Sequence, residues 1–494
     1  MHNIKQGPQD DGRPNMAAPG SGLFGSFSHS MRQVWRCRVR AKNSTCGHVL
    51  IVVAFLVFTL HVITQRQPQD NTREFSVLRD PLPFPMPPAP LHDNPQANFQ
   101  LGTHGDWQEA QGSNRDFFLY SAYLDRRGKR SQVVIVAIVK KRKKVTGCRV
   151  WTGNTSVEVN AKTKLIHENW NLVYSAALVQ CTVPSDSRPT YVSLLSQPTT
   201  LIPVQDMEAR ERQGQMSVCV KPLHYGYDRA LWLVEFIELY RLLGADKFIF
   251  YNHTMGPNIE AVVKHYMDAG VVTLLPWSLP VITQKEIRTE GIFAALNDCN
   301  LRSVHRFPFS AMVDFDEFLI PRKHDSLLDL LASYGDNHSA YVFQNVFFYL
   351  YWENDTAVAY ETLRREGVTP VEGEGEPYLL TAFKTRRMDT PHKSGIRSKY
   401  IVRPERVVEL GNHHVWEYVD GKKMIKRVPP DDALSHHYRI CEYGGYECLK
   451  HPAHVDRAAH AWLTRMYRRV LDNCAQIFPA DGACPKAPPL GSPF

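Results

Sequence analysis

The chain has 494 residues, 43% of them hydrophobic, and a formal net charge of +8. That length exceeds what one hydrophobic core organises, so at least two domains with appendages are expected. The charge excess is modest and its basic residues are scattered rather than gathered on one periodic face, which argues against a nucleic-acid binder.

The first feature of consequence is residues 46–64, dominated by Val, Leu, Ile and Phe, with Thr59 and His61 as its blemishes. Arg32, Arg36, Arg38, Arg40 and Lys42 precede it, and only Arg66 follows closely. By the positive-inside rule, residues 1–45 form a cytosolic tail, 46–64 a transmembrane signal anchor, and everything beyond is luminal. A cleaved signal peptide would begin nearer the start. The short span suits a thin secretory-pathway bilayer. Residues 65–114 are polar and proline-rich, a disordered stem unable to close a core.

Eight of the ten cysteines follow the anchor: Cys148, Cys181, Cys219, Cys299, Cys441, Cys448, Cys474 and Cys484. An even number in an oxidising lumen favours disulfides, and the spacing lacks the paired Cys-x-x-Cys of a zinc site. Asn154, Asn252, Asn337 and Asn354 head glycosylation sequons.

Residues 115–212 predict a small β-rich accessory domain, open to a sandwich arrangement. The runs 132–139, 171–179 and 190–195 are rich in β-branched residues and separated by polar turns. Cys148 and Cys181 are available as a staple, and the basic stretch 140–144 reads as a solvated hairpin tip.

Residues 213–494 alternate strand and helix. Strands are expected at 217–222, 247–251, 271–275 and 309–313. Helices are expected at 229–243, from Pro257 to Gly270, and over about 284–304. Such alternation implies right-handed crossovers and a mostly parallel sheet, with ligands bound beyond the carboxyl ends of its strands. Asp314 and Asp316 fall there. Residues two apart on a strand share a face, and carboxylates so close repel unless a divalent cation joins them. There is no Gly-x-Gly-x-x-Gly after the first of these strands and no Gly-Lys-Ser/Thr loop, so a nucleotide's phosphates would be neutralised mainly by a metal. The stretch 366–376, acidic and glycine-bearing, reads as an insertion loop, and 457–474 as a final amphipathic helix.

An anchor, a stem, a luminal α/β domain and a strand-terminal Asp-x-Asp together resemble a Golgi glycosyltransferase of the A-type nucleotide-sugar fold. Residues 117–438 resemble glycosyltransferase family 92. The motifs are Tyr120-Ser-Ala-Tyr-Leu-Asp-Arg126, Glu235-Phe-Ile-Glu-Leu-Tyr240, Asn297-Asp-Cys-Asn300, Asp314-Phe-Asp-Glu-Phe318, Ser398-Lys-Tyr-Ile-Val-Arg-Pro404 and His437-Tyr-Arg439. The resemblance implies an α/β, Rossmann-like catalytic domain with the all-β accessory domain beside it. It also implies transfer of galactose from UDP-galactose to a glycan acceptor, with inversion and with Mn2+. By resemblance Asp316 is a metal ligand, Asp314 lies on the metal or the ribose, and His413 or His414 completes the metal shell. Lys221, Asn252, Asp298, Lys384 and His437 are expected at the donor nucleotide. Inversion needs a general base rather than a protein nucleophile. Asp389 is the first choice, with Glu353, Glu361 and Glu366 competing. Glu317 is expected to be structural, and Trp352 is available to stack on an acceptor sugar. The expected partners are a glycan or glycoprotein, the membrane and, for a homodimer, a second copy. A glycoside hydrolase, which also uses paired carboxylates, and a catalytically inactive luminal glycan-binding protein are the alternatives.

Overall fold

The computed structural model describes residues 100–101, 105–373, 377–442 and 445–486. The anchor expected at 46–64 and most of the stem lie outside these residues. Among the described residues no helix is long and apolar enough to cross a membrane.

The accessory region forms a nine-stranded sheet. Strand Phe117–Asp125 pairs antiparallel with Gln132–Lys140 and also parallel with Gln197–Asp206. That second pairing closes the sheet on itself, so it is a barrel rather than an open sandwich. Strand Gln132–Lys140 shows why its sequence is apolar at nearly every position. Val133, Ile135, Ala137 and Val139 fill the barrel, where the Cys148–Cys181 disulfide also lies. Val134, Val136 and Ile138 face the other way and pack into the core of the following domain. The basic stretch 140–144 is a turn, but not a hairpin tip, because the strands it joins pair with other neighbours. Lys140 and Lys143 there approach Asp116.

The second domain carries a seven-stranded sheet. Strand β1 (Met216–Val220) leads into helix α1 (Ala230–Leu242), then β2 (Lys247–Asn252), helix α2 (Pro257–Asp268) and β3 (Val272–Pro276). Helix α3 (Ile292–Ser303) then crosses back to β4 (Phe309–Val313). The strands β3, β2, β1 and β4 lie side by side and parallel. Successive connections therefore leave β1 and β4 in opposite directions, which opens a crevice at the carboxyl ends of these two strands. The expected helix over 284–304 forms only in its second half. The first half is irregular, with Thr289 and Glu290 at φ 46° and 49°.

Beyond β4 the chain makes β5 (Glu317–Pro321), β6 (Ala340–Phe343), β7 (Asn345–Tyr349), β8 (Lys399–Val402), β9 (Ile425–Arg427) and β10 (Ala433–Arg439). Antiparallel β8 extends the main sheet beside β4, and β6 and β9 follow. A small sheet in the order β5, β10, β7 brings the end of β10 against the start of β5. The final helix α4 (Leu463–Ile477) packs on α1, and its Cys474 is bonded to Cys484. Cys219 of β1 is bonded to Cys299 of α3, and Cys441 to Cys448. No cysteine is free among the described residues.

The two domains are joined through Asp298 of α3, which is fully buried. Its carboxylate accepts hydrogen bonds from Ser121 and Tyr123 of the barrel, at 2.5 and 2.6 Å. It also accepts from Tyr251 of β2 and Arg302, at 2.7 and 2.6 Å. Asp298 is therefore an interdomain joint and not the nucleotide contact expected of it. A carboxylate with four donors and no exposure has no oxygen left for a ligand.

Candidate active site

A cleft of about 550 Å³ opens at the carboxyl ends of β1 and β4. Lys221, Leu223, His224, Tyr225 and Tyr227, which follow β1, line one side, and Asp314, Phe315 and Asp316, which follow β4, another. His437, Tyr438 and Arg439 from β10 close a third.

The two aspartates do not converge by strand alternation. Strand β4 ends at Val313, and the Asp314 carbonyl accepts from the Glu317 amide at 3.1 Å, so 314–317 is a tight turn. Phe315 anchors the turn. Its ring packs against Tyr227, Phe236 and Phe250 in the core, with centroids 5.4, 5.6 and 5.3 Å away. Tyr240 of α1 fixes the next residues by donating to the Glu317 carbonyl at 2.9 Å and accepting from the Leu319 amide at 3.1 Å.

Charges around the turn are arranged in two layers. In the buried layer, Lys399 at the start of β8 places Nζ 3.0 Å from Asp314 Oδ2 and 3.1 Å from Glu317 Oε2. Glu317 is also held by Asn345, whose amide donates to Oε1 at 3.3 Å. In the outer layer, His437 bridges. Its Nδ1 lies 3.1 Å from Glu317 Oε1 and its Nε2 3.2 Å from Asp316 Oδ2. The Asp316 side chain is 43% exposed, the Asp314 side chain 17% and that of Glu317 2%.

Burial would raise the Asp314 carboxyl, but Lys399 and Lys221 outweigh it and hold the group well below the ordinary aspartate range. The same desolvation acts on Asp316, and His437 and Lys221 again reverse it, so Asp316 is also an anion at neutral pH. Burial dominates at Glu317 and raises its carboxyl despite Lys399 and His437. Burial works against the Lys221 ammonium as well, yet Asp314 and Asp316 keep it above the usual lysine value. The cleft thus presents an exposed carboxylate, a cation and an imidazole around one opening.

The other expected residues are distributed as follows. Asn252 ends β2 beside the β1 connection, with Oδ1 buried and lacking a hydrogen-bond partner. His413 points Nδ1 at the Ser398 carbonyl, 3.1 Å away, and Nε2 at the Asn412 amide, 3.0 Å away. Burial and the Lys399 charge push its pKa down to about 4. His414 is exposed against Trp416. Lys384 is buried with Nζ on the Trp352 carbonyl, outside the cleft, and burial pushes its pKa down to about 8. It does not meet the expectation of a nucleotide contact, because its ammonium is turned into the protein. Asp389 is half-exposed, paired with His454 at 2.8 Å, and is not among the residues lining the cleft. Glu353, Glu361 and Glu366 are exposed or partly exposed and also lie outside it. Trp352 packs edge-on against Tyr349.

Nothing in the local sequence pairs Lys399 with Asp314 and Glu317. Its position on an apolar strand, Lys399-Tyr-Ile-Val402, was the available signal, since a lysine buried in a sheet needs an anion.

No three histidine, cysteine or acidic side chains are gathered about one point among the described residues. Asp316, with His437 Nε2 3.2 Å from its Oδ2, offers a partial set of oxygen and nitrogen donors that a divalent cation could use, while Asp314 is held back on Lys399. Glu317 behind His437 completes a carboxylate–histidine arrangement that orients Nε2 outward.

The chain is similar to several known proteins. The beta-1,4-galactosyltransferase galt-1 of Caenorhabditis elegans is 28% identical over 209 residues, covering 41% of this chain and 43% of that protein. A glycosyltransferase family 92 protein of the same organism is 24% identical over 166 residues, 31% of each. The match thus spans less than half the length of either relative. Among solved structures, a mycobacterial protein (16% identity, TM-score 0.22, 57% of this chain and 78% of that one) is similar in part. So is glucosyl-3-phosphoglycerate synthase from Mycobacterium tuberculosis in complex with Mn2+ and UDP-glucose (13%, TM-score 0.23, 53% and 79%). At those scores neither bears on the fold or the chemistry. The match that decides is to the family itself, over residues 214–468, more than half of the chain and the whole of the cleft described above. The chain belongs to glycosyltransferase family 92.

Proposed function

We propose that the chain is a metal-dependent, inverting galactosyltransferase that moves galactose from UDP-galactose to a glycan acceptor, with terminal galactose of N-glycans as the acceptor and Mn2+ as the metal. The single observation that carries this reading is the exposed Asp316 carboxylate at the β1/β4 crevice, flanked by Lys221 and by a His437 that Glu317 orients. Family membership and the galactosyltransferase name of one relative support the sugar.

In this reading Asp316 and His437 would hold the cation, with Asp314 behind them on Lys399. When bound, it supplies Lewis-acid neutralisation of the diphosphate as the glycosidic bond breaks. Lys221 adds a fixed positive charge on the same side. Lys399 keeps Asp314 ionised and in place without facing substrate. Inversion then requires only removal of the acceptor hydroxyl's proton. Among the described residues lining the cleft, the carboxylates are Asp314 and Asp316 alone, so a carboxylate base other than these would come from outside those walls. Asp389 is assigned that role. Its segment adjoins the site through His392, whose ring packs on Phe347 beside His437.

The cellular setting belongs to the same proposal: a single-pass type II protein of the Golgi membrane with its body in the lumen. The paired state of all eight described cysteines supports an oxidising compartment.

Incubation of the purified protein with a panel of UDP-sugars and galactose- or fucose-terminated acceptors tests the assignment. Transfer from UDP-galactose that stops when the metal is chelated is expected. Metal-free hydrolysis of a glycoside without transfer would overturn it.

A further inference from the structure

Arg439 ends β10 and lines the cleft beside His437. Residues two apart on a strand share a face, so both side chains leave β10 on the same side, about 7 Å apart along the strand. The Tyr438 ring between them turns the other way, onto Phe318 and Phe348.

Phe347 of β7 supports both cleft side chains. Its ring lies 5.2 Å from the His437 imidazole and 4.8 Å from the Arg439 guanidinium carbon. A second guanidinium, that of Arg397, lies 5.4 Å from the same ring. The two arginines differ in their counter-charge. Glu442 neutralises Arg397, with Oε1 and Oε2 2.7 and 2.6 Å from Nη2. Arg439 forms no ion pair among the described residues. Its Nε donates to the Ile440 carbonyl at 3.2 Å, and the outer edge of its guanidinium has no hydrogen-bond partner there. Stacking on a ring holds a guanidinium flat but satisfies none of its N–H donors.

The charges of the walls give that difference its meaning. Three cations, Lys221, Arg229 and Arg439, line the cleft against two carboxylates, Asp314 and Asp316. Asp314 is already matched by Lys399 behind it, and Lys221 draws on both carboxylates. Arg229 rests on the Trp232 ring at 4.6 Å. A guanidinium in such company destabilises the fold by repulsion unless an anion joins it, and the walls hold no acid to spare.

We infer that Arg439 is an oxyanion anchor of the cleft, whose outer fork takes two oxygens of a bound anion with no metal required. A planar fork matches the paired oxygens of a phosphate or a carboxylate, and Phe347 presents it already in one plane. Two chemistries supply such an oxyanion: the diphosphate of a nucleotide sugar and the carboxylate of an acidic sugar. The diphosphate is favoured, because Arg439 shares its face of β10 with His437 and hence with the Asp316 end of the cleft. That choice rests on the transferase reading, whereas the anchor itself does not.

The test uses the full chain in EDTA, titrated by calorimetry with inorganic pyrophosphate and, separately, with glucuronic acid. The parent should bind pyrophosphate, and Arg439→Gln should bind it at least about tenfold more weakly, the scale of a charge-assisted pair. Arg439→Lys keeps the charge but not the fork and should lose about threefold. Arg397→Gln, at a charge that Glu442 already offsets, should bind as the parent does. Unchanged affinity in Arg439→Gln, or in Arg439→Lys where that variant alone folds, overturns the anchor. An equal loss in Arg397→Gln also overturns it, by reducing the effect to general charge, and so does a parent that binds neither anion. Arg439-dependent binding of glucuronic acid but not of pyrophosphate keeps the anchor and moves its ligand to an acidic sugar. A chain that binds pyrophosphate through Arg439 yet transfers no sugar keeps the anchor and removes the transferase reading instead.

Discussion

Lys399 Nζ lies 3.0 Å from Asp314 Oδ2, within a sheet where the lysine side chain is 2% exposed. An ammonium buried to that degree is tolerated only because carboxylates face it, and the reverse holds for Asp314. Lys399→Met should therefore destabilise the fold by about 3–5 kcal/mol, the usual consequence of stranding a buried charge. Urea denaturation measures the loss. Adding Glu317→Gln should recover part of it, and a single variant within about 0.5 kcal/mol of the parent would contradict the pairing.

Asp316 is the opposite case. With 43% of its side chain exposed and His437 as its close partner, Asp316→Asn should leave the melting temperature nearly unchanged. Transfer should fall by roughly 100- to 1000-fold, as when a preorganised electrostatic contact to the transition state is removed. Parental rates in a well-folded variant would move the site elsewhere.

Glu317 touches no space in the cleft but faces His437 Nδ1. Glu317→Gln should weaken the metal dependence by about 10- to 100-fold, the range typical of groups that orient a ligating histidine. The midpoint of the UDP-dependent melting shift, titrated with Mn2+, reports it. An unmoved midpoint would assign Glu317 to structure alone.

Glu235 of α1 gives a pH signature. It is fully buried and accepts from the Leu380 and Thr381 amides at 2.8 Å and from the Thr381 hydroxyl at 2.6 Å. Burial pushes its pKa up from 4.5 to about 7, against those hydrogen bonds. The folded protein thus holds this proton more tightly than the unfolded chain. The contribution is complete below the ordinary glutamate pKa and is lost as pH rises through about 7. Stability relative to Glu235→Gln should decline by about 3 kcal/mol across that window. Thermal unfolding of both proteins from pH 4.5 to 7.5 checks the sign, and a constant difference would refute it.

Much of the catalytic sheet was legible because each element carries its own signal. The helix expected at 229–243 forms at Ala230–Leu242, and the strand expected at 309–313 forms there. Gly244 and Gly270, which end the first two helices, adopt φ 105° and 71°. Contacts between distant segments were not legible. Lys399 meets Asp314 across 85 positions and His437 meets Asp316 across 121, and no local periodicity encodes either. Of the two neighbouring histidines, His436 is buried against Phe348, and His437 reaches the cleft. Alternation along β10 foretells that one of them faces inward but not which. Asp298 was misread for a related reason. Its Asn-Asp-Cys-Asn setting signalled importance, while the four donors that explain it come from three separate elements.

The Asp298 joint changes where this protein can be divided. Residues 214–468 carry the family's match, but they do not carry the whole of their own interior. A chain severed before Met216 would uncover Ile292, Phe293 and Leu296 along α3, and would leave the Asp298 carboxylate without its two barrel donors. The boundary of homology and the boundary of folding are therefore different places, and the barrel is part of the catalytic domain's interior rather than a detachable neighbour.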